Sequence, residues 1–347
     1  MNKKKVVFIL NPISGTVSKA GIPDLIEERL DKDKFDHRIA ETQHAGHATD
    51  LAREAVEEGV DLVVAVGGDG TVNEVGRSLI NTKSALGILP CGSGNGLARH
   101  LNLPMNLKKC IDILNCYDVK ALDYGIINNH PFFCTCGMGF DAFISMKFAE
   151  AGKRGPITYM QKVLEEGLSY EPETYVIEDE DGTHRYKAFL VSAANASQYG
   201  NNAYIAPQAS MSDGLLDIII MEPFDLIEAP QVAIELFNKT CNNAANKLQY
   251  THVHPRNTIL SHRKKEGVIH YDGDPITSDA DVDISVVPKG INIVVNPKGG
   301  KDCRQPNMLQ TAFSEIFYNI DLMRQDLTKQ SRKVQAINKN LLRKLNI

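Results

Sequence analysis

The stretch "LVVAVGGDGTVNEV", residues 62–75, decides the fold. Leu62–Val66 is an apolar, β-rich run that empties into Gly67, Gly68, Asp69, Gly70 and Thr71, after which Val72–Leu79 takes up helical spacing. A short buried strand, a glycine turn and a helix make one βα unit. The pattern repeats outward on both sides. Val6–Leu10, Phe35–Ala40 and Leu86–Leu89 are strand-like, and Ile22–Leu30 and Ala48–Glu58 are helical. Alternation of this kind predicts an α/β domain with a parallel sheet over residues 1–122.

Three of the strand exits share a chemistry. After the first strand comes "NPISG" with Asn11, Ser14 and Gly15. After the third comes Gly67–Thr71, and after the fourth "PCGSGNG" with Gly92, Ser93, Gly94, Asn95 and Gly96. Glycines bare the backbone, and the start of the following helix offers free N–H groups and a positive dipole end to an anion. Thr71 can add a hydroxyl or cap its helix. An aspartate among phosphates repels them unless a divalent cation lies between, so Asp69 suggests metal-assisted phosphoryl chemistry. The familiar spellings are absent. G-x-G-x-x-G fails at Asn73 and at Arg99, and no G-K-[ST] follows a glycine loop. Loops of this kind meet at the carboxyl edge of a parallel sheet, where a nucleotide is expected to bind.

Beyond residue 122 the texture changes. "YVIEDEDGTHRYKAFLVSAAN" reads as two strands around Asp181-Gly182. "LLDIIIM", "GVIHYDGDPI", "VDISVVP" and "INIVVNP" read as further short strands. A β-rich, sandwich-like second domain over 123–305 follows. "FISMKFAEAGKRGPITYMQKVLEEGL" between the two textures looks helical, with a break at Gly155-Pro156. Residues 306–347 carry no glycine and no proline after Pro306, and Phe313, Ile320, Leu327, Val334 and Leu341 recur every seven residues. That is a coiled-coil-like seam. From Arg324 onward seven basic residues face one acid, Asp326. A helical extension is expected there, joining two copies as a homodimer, docking on the protein's own body or resting on anionic lipid.

A net charge of −5 gives no reason to expect nucleic acid. Scattered cysteines without a C-x-x-C pair, no apolar run long enough to span a bilayer, and a first apolar run too short for a signal-peptide core suggest a cytoplasmic protein.

Taken in order, "NPISG", "VVAVGGDGTVNEV", "GILPCGSGNGLARHL", "GMGFDA", "MSDGLLDI" and "HYDGD" resemble the diacylglycerol kinase catalytic-domain family, which includes bacterial lipid kinases and the sphingosine and ceramide kinases. The resemblance covers about residues 5 to 298. It implies a nucleotide domain of the NAD kinase kind, a β-rich domain, and transfer of the γ-phosphoryl of ATP, with magnesium, to a lipid hydroxyl such as that of diacylglycerol or a sphingoid lipid. By matching motif it places Asn11, Ser14, Gly15, Thr42, Gly67, Gly68, Asp69, Gly70, Thr71, Val72, Gly92, Ser93 and Asn95 near the nucleotide, with Glu74 orienting the loop. It places a structural magnesium or calcium on Asp213 with the carbonyls of Ser210 and Leu215. The family's D-G-E base motif is here Asp272-Gly273-Asp274, so the implied general base is Asp274, one methylene shorter than the usual glutamate. A lipid substrate further implies transient contact with the inner face of the membrane. Two other readings stay open: a kinase of a soluble alcohol, as NAD kinase is, and a non-catalytic nucleotide- or lipid-binding protein.

Overall fold

The computed structural model describes residues 3–13, 19–151, 167, 170–179, 182–224, 248–253, 259–262, 267–278 and 281–299. The expected extension over 306–347 and the expected break at Gly155-Pro156 lie outside them. The first nine elements are β1 (Lys4–Leu10), α1 (Ile22–Arg29), β2 (Phe35–Glu41), α2 (His47–Glu57), β3 (Leu62–Gly67), α3 (Asp69–Leu79), β4 (Ala85–Pro90), α4 (Gly96–His100) and α5 (Leu107–Cys116). Strands β2, β1, β3 and β4 lie side by side, all parallel.

Burial on both faces explains why β1 and β3 read as unbroken apolar runs. Val7, Ile9, Val63 and Ala65 pack with Ala52 of α2 and Val75 of α3. Their alternates Val6, Phe8 and Val64 pack with Ile26 of α1 and Ile111 of α5. Helices therefore cover both faces. Helix α3 begins earlier than its apolar spacing suggested: Gly68 is its N-cap and Asp69 lies in its first turn. The apolar period marks only the packed face and misses a polar first turn.

The remaining elements are β5 (Val119–Ile127), β6 (His130–Phe132), β7 (Thr135–Gly139), α6 (Phe140–Ala151), β8 (Glu173–Asp179), β9 (Gly182–Ala188), β10 (Leu190–Ala194), β11 (Gln198–Gly200), β12 (Ala203–Tyr204), β13 (Leu216–Met221), β14 (Leu248–Val253), β15 (Ile259–His262), β16 (Gly267–Tyr271), β17 (Asp274–Ser278) and β18 (Asp281–Val294). An antiparallel sheet runs β14-β13-β10-β7-β16-β17. The first sheet continues from β4 through β18, β15, β8 and β9, with β5 along β18 and β6 on β5. Phe132, Tyr175, Ile177 and Ile284 of one sheet meet Met138, Val191, Ile218 and Ile269 of the other in a single core. This is a β-sandwich.

Residue 122, the expected domain limit, lies within β5. The strands expected separately at "VDISVVP" and "INIVVNP" are one strand, β18. Pro288 and Lys289, whose φ is +53°, lie in the register shift between Val287 and Ile291, where the ladder with β5 is interrupted and a proline need not donate. Among the described residues no helix is long and apolar enough to cross a membrane.

Candidate active site

The exits of β1, β3 and β4 are bonded to one another. Asn11 donates through Nδ2 to Thr71 Oγ1 (3.1 Å), and its N–H reaches the Val66 carbonyl (3.1 Å). Thr71 and Thr42 are buried, and the Thr42 N–H bonds the Leu10 carbonyl at the end of β1. Ser14 and Gly15 lie outside the described residues. Asp69 turns its carboxylate onto the next loop: Oδ2 accepts the Asn95 N–H at 2.8 Å and Oδ1 the Gly96 N–H at 2.7 Å. Burial pushes the Asp69 carboxyl above its ordinary range, although those N–H groups and the Arg99 charge pull it down. Asn95, held at φ +50°, closes its own loop by accepting the Gly92 N–H and donating to the Gly92 carbonyl.

Glycine is required where the two loops touch. A Cβ on Gly92 would stand 2.7 Å from the Cα of Gly68, and one on Gly94 would stand 2.7 Å from Asp69 Oδ2. Facing outward, Gly70 and Ser93 are exposed, and a Cβ on Gly70 would meet nothing. Val72 is buried and bonds back to the Gly68 carbonyl, while Glu74 accepts the N–H groups of Gly46 and Ala48 (both 3.2 Å). Glu74 thus caps α2 and ties it to α3, a carboxylate where a helix start favours one.

Helix α3 also reaches the turn that carries Asp274. Asp272 and Gly273, at φ +53° and +86°, join β16 to β17 as a two-residue type I′ turn. The Asp272 carboxylate is buried and accepts three N–H groups, from Phe133 (2.8 Å), Cys134 (2.7 Å) and Thr135 (3.2 Å). Burial raises its proton affinity against the opposing pull of Arg77 and those donors. Beneath the turn, His270 Nδ1 accepts the Gly273 N–H (3.3 Å), which assigns the ring proton to Nε2, 2.9 Å from Asp141 Oδ2. Asp274 itself is half exposed and receives Arg77 Nη1 on Oδ2 at 2.9 Å.

The third predicted constellation stands on its own turn. Asp213 is exposed, and its Oδ1 accepts the Leu215 N–H (3.1 Å); Ser210 Oγ lies 3.1 Å from Ser212 Oγ. The turn is anchored by Asp123, which is buried and accepts the N–H groups of Gly214 (2.8 Å) and Lys289 (2.7 Å).

Asp123, Arg77, Arg99, His100 and the Asp141–His270 pair escaped the sequence reading. Asp123 had a visible signal as an acid within a β-rich run, and Arg99, His100, Asp141 and His270 lie inside the quoted motifs, whereas Arg77 had none. Arg99 bonds the Gly94 carbonyl (2.9 Å) and Asn202 (3.3 Å), and His100 accepts the Ser197 N–H (3.0 Å). These two seat the β10–β12 region on the second glycine loop.

Comparison with known proteins matches residues 5–127 to the model of the diacylglycerol kinase catalytic domain and residues 135–295 to that of the YegS C-terminal NAD kinase beta sandwich-like domain. A Chromohalobacter salexigens protein named "Probable lipid kinase YegS-like" is 34% identical over 204 residues, 57% of this chain and 66% of that protein. A diacylglycerol kinase of Staphylococcus saprophyticus is 29% identical over 231 residues, 65% of this chain and 75% of that one. The crystal structure of a diacylglycerol kinase from Bacillus anthracis superposes with a TM-score of 0.66 at 20% identity, covering 86% of this chain and 99% of that one. With both halves matched in order and the sandwich of the expected kind, the chain belongs to the diacylglycerol kinase family, kinases whose acceptor is an alcohol.

Proposed function

We propose that the protein transfers the γ-phosphoryl group of ATP to the hydroxyl of a lipid, such as diacylglycerol or a sphingoid lipid, with magnesium as cofactor. The observation that carries the reading is the bond between Arg77 of α3 and Asp274. It joins the carboxylate suited to accept the hydroxyl proton to the helix whose first turn forms the glycine loop.

The cradle fits a triphosphate. Its outward rim is exposed backbone at Gly70 and hydroxyl at Ser93, beside a helix start with N–H groups that lack intrahelical acceptors. Asn11, Thr42, Thr71 and Glu74 brace that rim, and Ser14 and Gly15 are assigned to the nucleotide by motif alone. Asp69 is read as the acid that holds a divalent cation there. Both of its oxygens already accept an N–H, so ligation would use their remaining lone pairs. A bound cation supplies charge neutralisation on the transferring group. Positioning by the loops, and proton acceptance at Asp274, are the work of the chain's own residues. Asp213 and the Ser210 and Leu215 carbonyls are read as the ligands of a structural magnesium or calcium, since oxygen donors alone suit those ions. The lipid acceptor calls for transient membrane contact by a cytoplasmic enzyme, and the basic heptad segment over 306–347 is read as serving that contact, a second copy or docking on the protein's own body.

The test is incubation with γ-labelled ATP and a total lipid extract in mixed micelles, read by mass spectrometry, beside a parallel reaction with NAD. A phosphorylated lipid supports the reading. Transfer to NAD alone would make the protein a soluble-alcohol kinase, and ATP binding without transfer would make it a binding protein.

A further inference from the structure

The short carboxylate of Asp274 is held from one side by a side chain that is itself fixed. Arg77 stacks its guanidinium over the Tyr271 ring (4.6 Å), donates through Nε to the Pro131 carbonyl (3.2 Å) and directs Nη2 toward the Tyr271 carbonyl (3.5 Å). A second acid, Asp272, lies 4.0 Å from the same nitrogen. With its plane set by these partners, the guanidinium delivers Nη1 to one oxygen of Asp274, Oδ2. Among the described residues no hydrogen bond occupies Oδ1.

The backbone of the turn does not depend on this bond. Asp272 fastens it through three N–H groups, His270 receives the Gly273 N–H, and the type I′ conformation is met by an aspartate and a glycine. Removing Arg77 therefore frees the Asp274 side chain while leaving the Asp272 and His270 ties of the turn in place, and the melting temperature reports any loss from its other contacts. The ion pair, with Asp274 about half exposed, contributes little to stability. What it fixes is direction.

We propose that Arg77 is a positioning residue for Asp274, holding Oδ2 so that Oδ1 faces the acceptor hydroxyl. This rests on Asp274 being the general base. In the step it serves, the hydroxyl oxygen forms a bond to the γ-phosphorus, the bond to the β–γ bridging oxygen breaks and ADP departs. The hydroxyl proton passes to Oδ1. An aspartate has one torsion fewer than glutamate with which to find the hydroxyl, so an external clamp replaces reach with orientation.

The experiment measures kcat, the KM for ATP and the melting temperature for Arg77→Met and Arg77→Lys, each made in the wild type and in Asp274→Asn. The acceptor is a total lipid extract in mixed micelles. Arg77→Met is expected to lower kcat about 10- to 100-fold, the range for a misplaced catalytic group, with KM for ATP within about twofold. Arg77→Lys should recover part of the loss, since an ammonium can reach one oxygen but cannot reproduce the fork. In the Asp274→Asn background, Arg77→Met should change kcat by less than about twofold, because residues acting as a unit are not additive. Equal losses in both backgrounds, or full kcat in Arg77→Met while Asp274→Asn is inactive, would overturn the proposal alone. Full turnover by Asp274→Asn, or no transfer by the wild type, would remove the base reading and the proposal together.

Discussion

Asp69 and Asp274 both follow closely on glycines in turns, yet the structure employs them differently. Asp69 gives both carboxylate oxygens to backbone N–H groups of the neighbouring loop and lies in a setting that raises its proton affinity. Asp274 gives one oxygen to a guanidinium and leaves half its side chain to solvent. The first carboxylate holds two loops in register, so its removal disturbs architecture and chemistry together. The second is nearly free of structural duty, so its removal reports chemistry.

The largest effects should separate along that line. Asp69→Ala leaves the Asn95 and Gly96 N–H groups unpaired and is expected to abolish turnover while costing about 2 kcal/mol in denaturant unfolding, the scale of orphaned buried donors. Asp274→Asn is expected to lower kcat on the order of 100-fold with ATP affinity retained and with stability changed by less than about 0.5 kcal/mol. A normal unfolding curve for Asp69→Ala would remove its tethering role and leave only the cation. A smaller effect should follow from Gly92→Ala, whose Cβ meets the Gly68 backbone. Parting the loops should cost about 1–3 kcal/mol, with the KM for ATP raised and Asp274-dependent chemistry spared. An unchanged KM would show that the nucleotide does not sense the loop spacing.

The far side of the second loop is tested through pH rather than turnover. Burial lowers the pKa of His100 to about 4, against 6.5 for a free imidazole. A base that is harder to protonate when folded contributes stability that is fully present above pH 6.5. That contribution is lost as pH falls toward 4, in total about 3 kcal/mol. Asp69 and Asp272, raised by burial, titrate with the opposite sign, so the comparison must be between proteins. His100→Gln, which keeps an acceptor for the Ser197 N–H, should flatten the acid limb of stability between pH 6.5 and 4. An identical limb in both proteins would show that His100 does not titrate as its burial requires.

Much of this was legible in the chain. The parallel sheet could be read from β1, β3 and β4 because strands buried on both faces leave unbroken apolar runs, and the order of the glycine loops pointed to their shared edge. Gly92 and Gly94 are required by loop-to-loop contact, a demand the sequence does not separate from an approach to phosphate, because a bare Cα looks the same whether backbone or ligand comes near it. Arg77 was illegible for another reason. Its partners lie at Pro131, Tyr271 and Asp274, and no local pattern links a helix surface to a hairpin almost 200 residues away. The continuity of β18 was hidden by Pro288, which ordinarily marks a strand's end and here sits in a bulge.

That strand has a consequence for how the protein is made. β4 finds its outer neighbour only when Ala85 and Leu86 pair with Asn292 and Ile293, about 200 residues further along the chain. During synthesis the nucleotide sheet therefore waits with an open, apolar edge until nearly all the sandwich has left the ribosome. Such an edge is a template for unwanted pairing between nascent chains. Contacts of this sequence separation also make for slow folding. A fragment ending before Asp281 would carry the full set of glycine loops on a sheet lacking that neighbour, so the two matched halves are expected to be recovered as soluble protein only when they are produced together.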